Sequence, residues 1–288
     1  MTTRRSFLAQ SSLAAAFAPL ARSASRLPIK KALIFGMLPK DLPLKDRFQA
    51  ARDAGFDQVE CYTTEDQAQA EAIKKASQDT GLRIHSVMNQ AHWQYPLSAA
   101  EPETVEKSMK GMETSLRNAH FWGADTVLLV PAVVNPKTSY GDAWTRSQTQ
   151  IKKLIPLAEE LKVIIAVEEV WNKFLLSPLE FVTYIDSFNS PWVKAYFDVG
   201  NVVLYGYPQD WIRTLGPRIA KLHIKDFSFR KRVAEFGALR EGEIDWKAIH
   251  AALGEIGYKG TATVELSGGD ATYLKEVSRR FDLILEGA

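Results

Sequence analysis

A single cysteine, Cys61, occurs among the 288 residues, so no disulfide can form within the chain and no cysteine-cluster zinc site is available. It lies in the strand-like run FDQVECY, where a thiol serves as a small buried hydrophobe rather than as a nucleophile. An excess of one charge is lacking too. Thirty-six Lys and Arg face 34 Asp and Glu, a net charge of +2 spread over both halves, which is not the basic face of a nucleic-acid binder. No G-x-G-x-x-G follows a strand and no G-x-x-x-x-G-K-[ST] is present, so neither common nucleotide-phosphate cradle is offered. No apolar run is long enough for stable membrane insertion, and no linker or low-complexity segment divides the chain.

What is present is an ordinary globular composition, 46% hydrophobic and 24% charged. Residues 1–25 differ from the rest. Arg4 and Arg5 precede Phe7 and Leu8, followed by SSLAAAFAPLA, a charged start and a short alanine-rich apolar run. This describes an export signal, and TRRSFL resembles the twin-arginine consensus. Ala21 and Ser23 are small residues suited to cleavage after Ser23. The expectation is a periplasmic protein exported folded, and residues 26–288 form its one domain.

From Lys31 onward, short apolar runs alternate with longer amphipathic ones. Strands are predicted over 31–37, 56–61, 82–88, 125–130, 163–169, 193–198, 219–225 and 261–266. Helices are predicted over 45–54, 66–80, 101–122, 140–161, 178–188, 209–215, 246–256 and 271–285. Eight strand–helix repeats predict a parallel sheet closed into a (β/α)8 TIM barrel, a single α/β domain. The stretch 227–244 is predicted to be a long loop.

Catalytic groups in such a barrel come from the C-terminal ends of the strands. The fifth strand, VIIAVEEVW, ends in Glu168 and Glu169; the sixth, VKAYFD, in Asp198; the seventh, AKLHIKD, offers His223; the eighth, TATVEL, offers Glu265. Alternation puts Tyr196 with Asp198 and Thr263 with Glu265 on the face opposite the apolar residues, hence inside the barrel. On the fifth strand alternation alone leaves Glu168 and Glu169 both open. Buried carboxylates are costly unless paired or bound to metal. Three of them with one imidazole suit Mn2+ or Mg2+, with Co2+ or Zn2+ as alternatives.

EEVWNKF, YFDVGN, LHIKD and TVEL resemble, in order, the four metal-ligand motifs of the sugar isomerase/epimerase family with the xylose-isomerase-like barrel. GFDQVECY and GADTVLLVP resemble its second and fourth strands, so the likeness runs through the whole chain after the signal. Matching EVWNKF to the carboxylate-bearing fifth strand implies the metal set Glu169, Asp198, His223 and Glu265, with Glu169 and Glu265 also the acid/base pair. Family epimerases often carry a histidine three residues after the aspartate, where this chain has Asn201. Asn201, Lys225, Glu60, His85 and Arg240 are candidate substrate-binding residues, and His92 with Trp93 a candidate sugar-stacking wall. His120 and His250 fall on helices and are expected at the surface.

The resemblance implies a divalent-metal-dependent isomerase or epimerase of a ketose or keto-sugar, working by proton abstraction α to a carbonyl. Its partner is a small sugar, and assembly as a homo-oligomer is compatible with it. A lyase acting by dehydration or β-elimination on keto-sugars, keto-inositols or oxidised glycosides is the alternative, and a non-catalytic sugar-binding protein the third reading. The three-metal phosphoesterases that share this barrel need many histidine ligands; five histidines, two of them on helices, argue against that reading, as does the near-neutral charge.

Overall fold

The computed structural model describes residues 25–230 and 233–288. The signal read in residues 1–25 lies outside the described residues except for Ser25, as do Lys231 and Arg232 in the long loop. Eight parallel strands close into a barrel: β1 (Lys30–Ile34), β2 (Gln58–Tyr62), β3 (Arg83–Met88), β4 (Thr126–Leu129), β5 (Ile164–Glu168), β6 (Val193–Asp198), β7 (Ile219–Ile224) and β10 (Thr261–Val264). Chain neighbours pair with one another and β10 closes onto β1, the arrangement that eight right-handed strand–helix units produce.

The helices α1 (Leu44–Asp53), α2 (Gln67–Thr80), α3 (Pro102–Trp122), α4 (Tyr140–Leu161), α5 (Pro178–Asp186), α6 (Pro208–Leu215), α7 (Trp246–Glu255) and α8 (Ala271–Leu285) surround it. Their limits are local chemistry. Asp66, Ser139, Ser177, Asp245 and Asp270 cap the N-termini of α2, α4, α5, α7 and α8 with side-chain oxygens. Gly81 and Gly123 end α2 and α3 at φ of 69° and 72°, a left-handed turn that glycine enters without a Cβ clash. None of the described helices is long and apolar enough to cross a membrane.

The core is the sleeve between strands and helices. Leu33, Val59, Val127, Val167, Phe197, Leu222 and Val264 point outward into it, and Phe197 stacks on Trp211 of α6 with ring centroids 6.2 Å apart. Each such side chain contributes roughly 1.5–3 kcal/mol through burial. Cys61 belongs to this layer, fully buried, and burial pushes its thiol well up.

Inside the barrel the layers are polar at the bottom and apolar on one flank. At the bottom Thr261 donates to Gln58 at 2.7 Å, and Lys221 pairs with Asp125 at 2.8 Å. Above them, Leu128, Val130, Ala166, Val170 and Tyr196 form a second, smaller apolar cluster.

Two segments differ from the sequence expectation. The first strand stops at Ile34, and Phe35–Met37 is a short 3-10 turn. The long loop after β7 contains an antiparallel hairpin, β8 (Asp226–Ser228) with β9 (Glu235–Gly237). Two anchors hold its base: Trp246 Nε1 donates to Asp226 Oδ2 at 3.0 Å, and the Glu243 N–H donates to the Phe227 carbonyl at 2.7 Å. Gly242 passes so close to Asp226 and the Phe227 carbonyl that a Cβ would collide with both. His250 is also corrected: it is buried on α7, its Nε2 3.3 Å from the Ser25 carbonyl, whereas His120 is exposed as expected.

Candidate active site

Four side chains meet at the C-terminal mouth of the barrel. Glu168 ends β5, Asp198 ends β6, His223 lies on β7 and Glu265 directly follows β10. One ligand atom from each falls within 4.8 Å of the others. His223 Nδ1 sits 2.8 Å from Glu168 Oε1, 3.5 Å from Glu265 Oε2 and 3.7 Å from Asp198 Oδ2.

The fifth-strand carboxylate of this group is Glu168, not the Glu169 that the motif match implied. Ala166 and Val170 face the barrel interior, so Glu168 between them does too, while Val167 packs outward. Glu169 has the opposite parity. Its Oε1 accepts the Asp198 backbone N–H at 2.8 Å, and its main-chain oxygen accepts from Asn201 Nδ2 at 2.9 Å. Glu169 therefore shapes the turn after β6. Burial, with the neighbouring charges of Asp198 and Glu168, pushes its carboxyl well above the usual range.

Asp198 is wholly buried and divides its two oxygens. Oδ1 accepts the N–H groups of Gly200 and Asn201 at 2.7 and 2.9 Å. Oδ2 has no aligned hydrogen bond; Lys225 Nζ lies 2.9 Å away as an ion pair and also donates to Glu265 Oε2 at 2.6 Å. A Cβ on Gly200 would stand 2.6 Å from Lys225 Cγ, so the glycine lets this lysine reach both acids. Burial opposes the charge on Lys225, but the surrounding carboxylates overcome it and hold the ammonium well above its ordinary range. Burial likewise opposes ionisation of Glu265, but His223 and Lys225 outweigh it and lower the carboxyl to about 2. Glu168 goes the other way, up to about 7, because burial exceeds what His223 returns. Two carboxyls of one site are thus pushed in opposite directions by their surroundings.

A buried chain supports the imidazole from beneath. His223 Nε2 is 3.0 Å from Glu60 Oε1, and Tyr196 donates its hydroxyl to Glu60 Oε2 at 2.7 Å. Tyr196 also lies 3.1 Å from Thr263 Oγ1, which is 3.0 Å from His85 Nε2. Glu60 thus accepts from Nε2 and orients the ring so that Nδ1 faces the other three groups. Glu60 and His85 therefore lie below the site, fully buried, and do not line its cavity. Burial depresses His85 well below the usual imidazole range, and its Nδ1 has no partner.

The cavity above the four groups holds about 220 Å3. Glu168, Glu265, Lys225 and Asn201 contribute its polar floor; Met88, Val130, Val170, Trp93, Trp171 and Phe236 its walls. His92 lines it too, accepting the Val130 N–H through Nδ1 at 3.3 Å, and burial lowers its pKa to about 4. Arg240 lies elsewhere: it takes a left-handed turn at φ 68° and donates to the Ala288 main-chain oxygen at 3.0 Å. Trp171 and Phe236 are wall residues that the sequence reading passed over. Trp171 stands in EEVWNKF, three residues beyond Glu168, and that proximity was the available signal. Phe236 carries none, because it reaches the mouth only through the hairpin.

The family model described as the xylose isomerase-like TIM barrel matches residues 48–282. The chain belongs to that family. SgbU of Escherichia coli strain K12 is 27% identical over 247 residues, 80% of this chain and 85% of SgbU. UlaE of Escherichia coli O1:K1, an L-ribulose-5-phosphate 3-epimerase, is 24% identical over 253 residues, 83% of this chain and 88% of UlaE. Among solved structures, the D-allulose 3-epimerase of Methylomonas sp. in complex with D-allulose superposes with a TM-score of 0.71 at 21% identity, covering 84% of this chain and 85% of that one.

Proposed function

We propose that this protein is a divalent-metal-dependent epimerase or isomerase of a ketose or related keto-sugar. Glu168, Asp198, His223 and Glu265 would hold the ion, with Mn2+ favoured, and Glu168 and Glu265 would handle the proton. The observation that carries this reading is the placement of those two carboxylates at the ends of β5 and β10, with β6 and β7 between them around the barrel, yet converging on one cavity floor. A sugar above that floor presents opposite faces to the two acids. The 3-epimerase activity of UlaE and the D-allulose 3-epimerase fold support the same chemistry.

The donor set fits a hard cation. Three carboxylates and one imidazole converge, and Asp198 Oδ2 is buried without an aligned hydrogen-bond donor. A bound divalent ion supplies charge that stabilises the negative charge developing on the substrate's carbonyl and adjacent hydroxyl oxygens. The protein side chains do the rest. One carboxylate takes the proton α to the carbonyl, and the C–H electron pair moves into the enediolate double bond. The other acid returns a proton: on the opposite face of the same carbon for epimerisation, on the neighbouring carbon for isomerisation. Lys225, beside Glu265, is placed to hold a substrate oxygen, and Asn201 to bond another.

Two measurements test this. Metal analysis should find about one divalent ion per chain in the purified wild type and little in His223→Ala; equal content in both would remove the metal assignment. Incubation with a panel of ketoses and Mn2+ in deuterated water should yield a stereoisomer or an aldose–ketose pair. An enone or a released aglycone would instead establish the lyase. The proposal extends to export: Arg4→Lys with Arg5→Lys should leave the protein in the cytoplasm with its signal uncut, and unchanged periplasmic accumulation would overturn that part.

A further inference from the structure

The 220 Å3 cavity has a neighbour. On the far side of Phe236 a second cavity of about 550 Å3 opens over the mouth of the barrel. The two share Lys225, Phe236 and Glu265, so the ion pair forms a common floor and the Phe236 ring a common wall. The inner space is below the ~300–1,000 Å3 usual for small-molecule sites and suits one sugar ring. The outer one is bounded by Ile34, Leu266, Ser267 and Tyr273 beyond the shared residues.

Charge narrows the occupant. Among the described residues lining the outer cavity, the charged side chains are Lys225 and Glu265, and they are bonded to each other at 2.6 Å. Phosphate recognition favours cationic side chains, and the one described in this lining, Lys225, is already paired with Glu265. The walls offer aromatic and aliphatic surface with a hydroxyl or two, the surface on which the apolar face of a second ring stacks. The dividing wall is itself attached to the hairpin rather than to the barrel. Phe236, on β9, stacks on Trp171 with centroids 4.7 Å apart and caps Lys225 Nζ at 4.6 Å. The two spaces meet at this ring, over the Lys225–Glu265 pair.

We propose that the substrate is a two-ring compound: a keto-sugar carrying an uncharged, glycosidically linked second ring. The keto ring occupies the inner cavity against Trp171, and the linked ring occupies the outer cavity against Tyr273. This rests on the keto-sugar reading above and adds to it the size and charge of the substrate.

The test compares D-fructose and D-tagatose with ketose disaccharides of different linkage, such as lactulose, turanose and isomaltulose, and with L-ribulose 5-phosphate. Binding is measured by calorimetry on the Mn2+-loaded protein, and turnover by deuterium incorporation. At least one disaccharide should bind ten-fold or more tightly than either monosaccharide. Tyr273→Ala should remove most of that advantage while leaving monosaccharide binding within about two-fold, and Tyr273→Phe should keep it. Wild type that binds no disaccharide better than the monosaccharides, or that prefers the phosphorylated ketose, overturns the proposal without reference to any variant. Absence of turnover on every probe would count against the reaction, whereas the calorimetric comparison would still decide the second-ring subsite.

Discussion

Glu168→Gln should lower turnover of an accepted keto-sugar at least ~10²-fold, and Glu169→Gln, one residue along, should leave it within a few-fold. Glutamine at 168 retains size and an oxygen that can face a cation, but it cannot take up a proton. At 169 the amide oxygen can go on accepting the Asp198 N–H, the bond that Glu169 Oε1 makes at 2.8 Å. Burial already favours the neutral form of Glu169, so an uncharged amide alters little there. Glu265→Gln should match Glu168→Gln, with substrate binding changing less than turnover in both. Equal losses at 168 and 169 would show that the second acid does more than hold the turn after β6. Full activity in Glu168→Gln would restore the assignment implied by the EVWNKF match.

The second large effect concerns stability. Glu60, Glu168, Glu169, Asp198 and Glu265 crowd around His223 and Lys225, so acids outnumber bases in a mostly buried cluster. Stripping divalent ions with a chelator should therefore lower the melting temperature, and the loss should grow between pH 5 and pH 8. The sign follows from the shifts. Glu168 is raised to about 7, so its neutral form stabilises the folded state fully below its unfolded value, and that contribution is lost as pH rises through 7. His223 is raised as well, burial being outweighed by Glu168, Glu265 and Glu60, so its contribution is lost in the same direction at higher pH. Glu265, lowered to about 2, gives its full contribution throughout this window. Returning Mn2+ at a hundred times its dissociation constant adds ~2.7 kcal/mol, which for a chain of this size is roughly 5 °C. Scanning calorimetry with and without chelator at three pH values would measure it. Identical melting curves would show that no ion occupies the cluster.

The barrel was legible because its evidence is local and repeated. β6, for example, carries the alternation of Lys194, Tyr196 and Asp198 against Val193, Ala195 and Phe197, and α4 spans Tyr140–Leu161 as its periodicity requires. Three of the four clustered groups could be found for the same reason, each being alone at its strand end. The fifth strand could not be read this way. Two adjacent glutamates straddle the point where pairing with β6 stops, and which one faces inward depends on how far the pleat continues, a tertiary matter. Glu60 and His85 had correct faces but unknown depth: parity gives the side of a strand, not the height of a residue in a stack of layers. The hairpin was missed because strands of three residues are too short to show a period.

That hairpin has a consequence for how such a protein can change. Its two strands pair with each other and form a sheet separate from the barrel. Glu168, Asp198 and His223 are seated in strands that pair with a neighbour on both sides, so alterations there reach the adjoining strands. The β8–β9 pairing, by contrast, shares no ladder with the barrel, so the hairpin can be exchanged without breaking a barrel hydrogen bond. The molecule is thereby divided into a conservative engine and a replaceable cap, and a related enzyme with a new substrate is best sought by comparing caps.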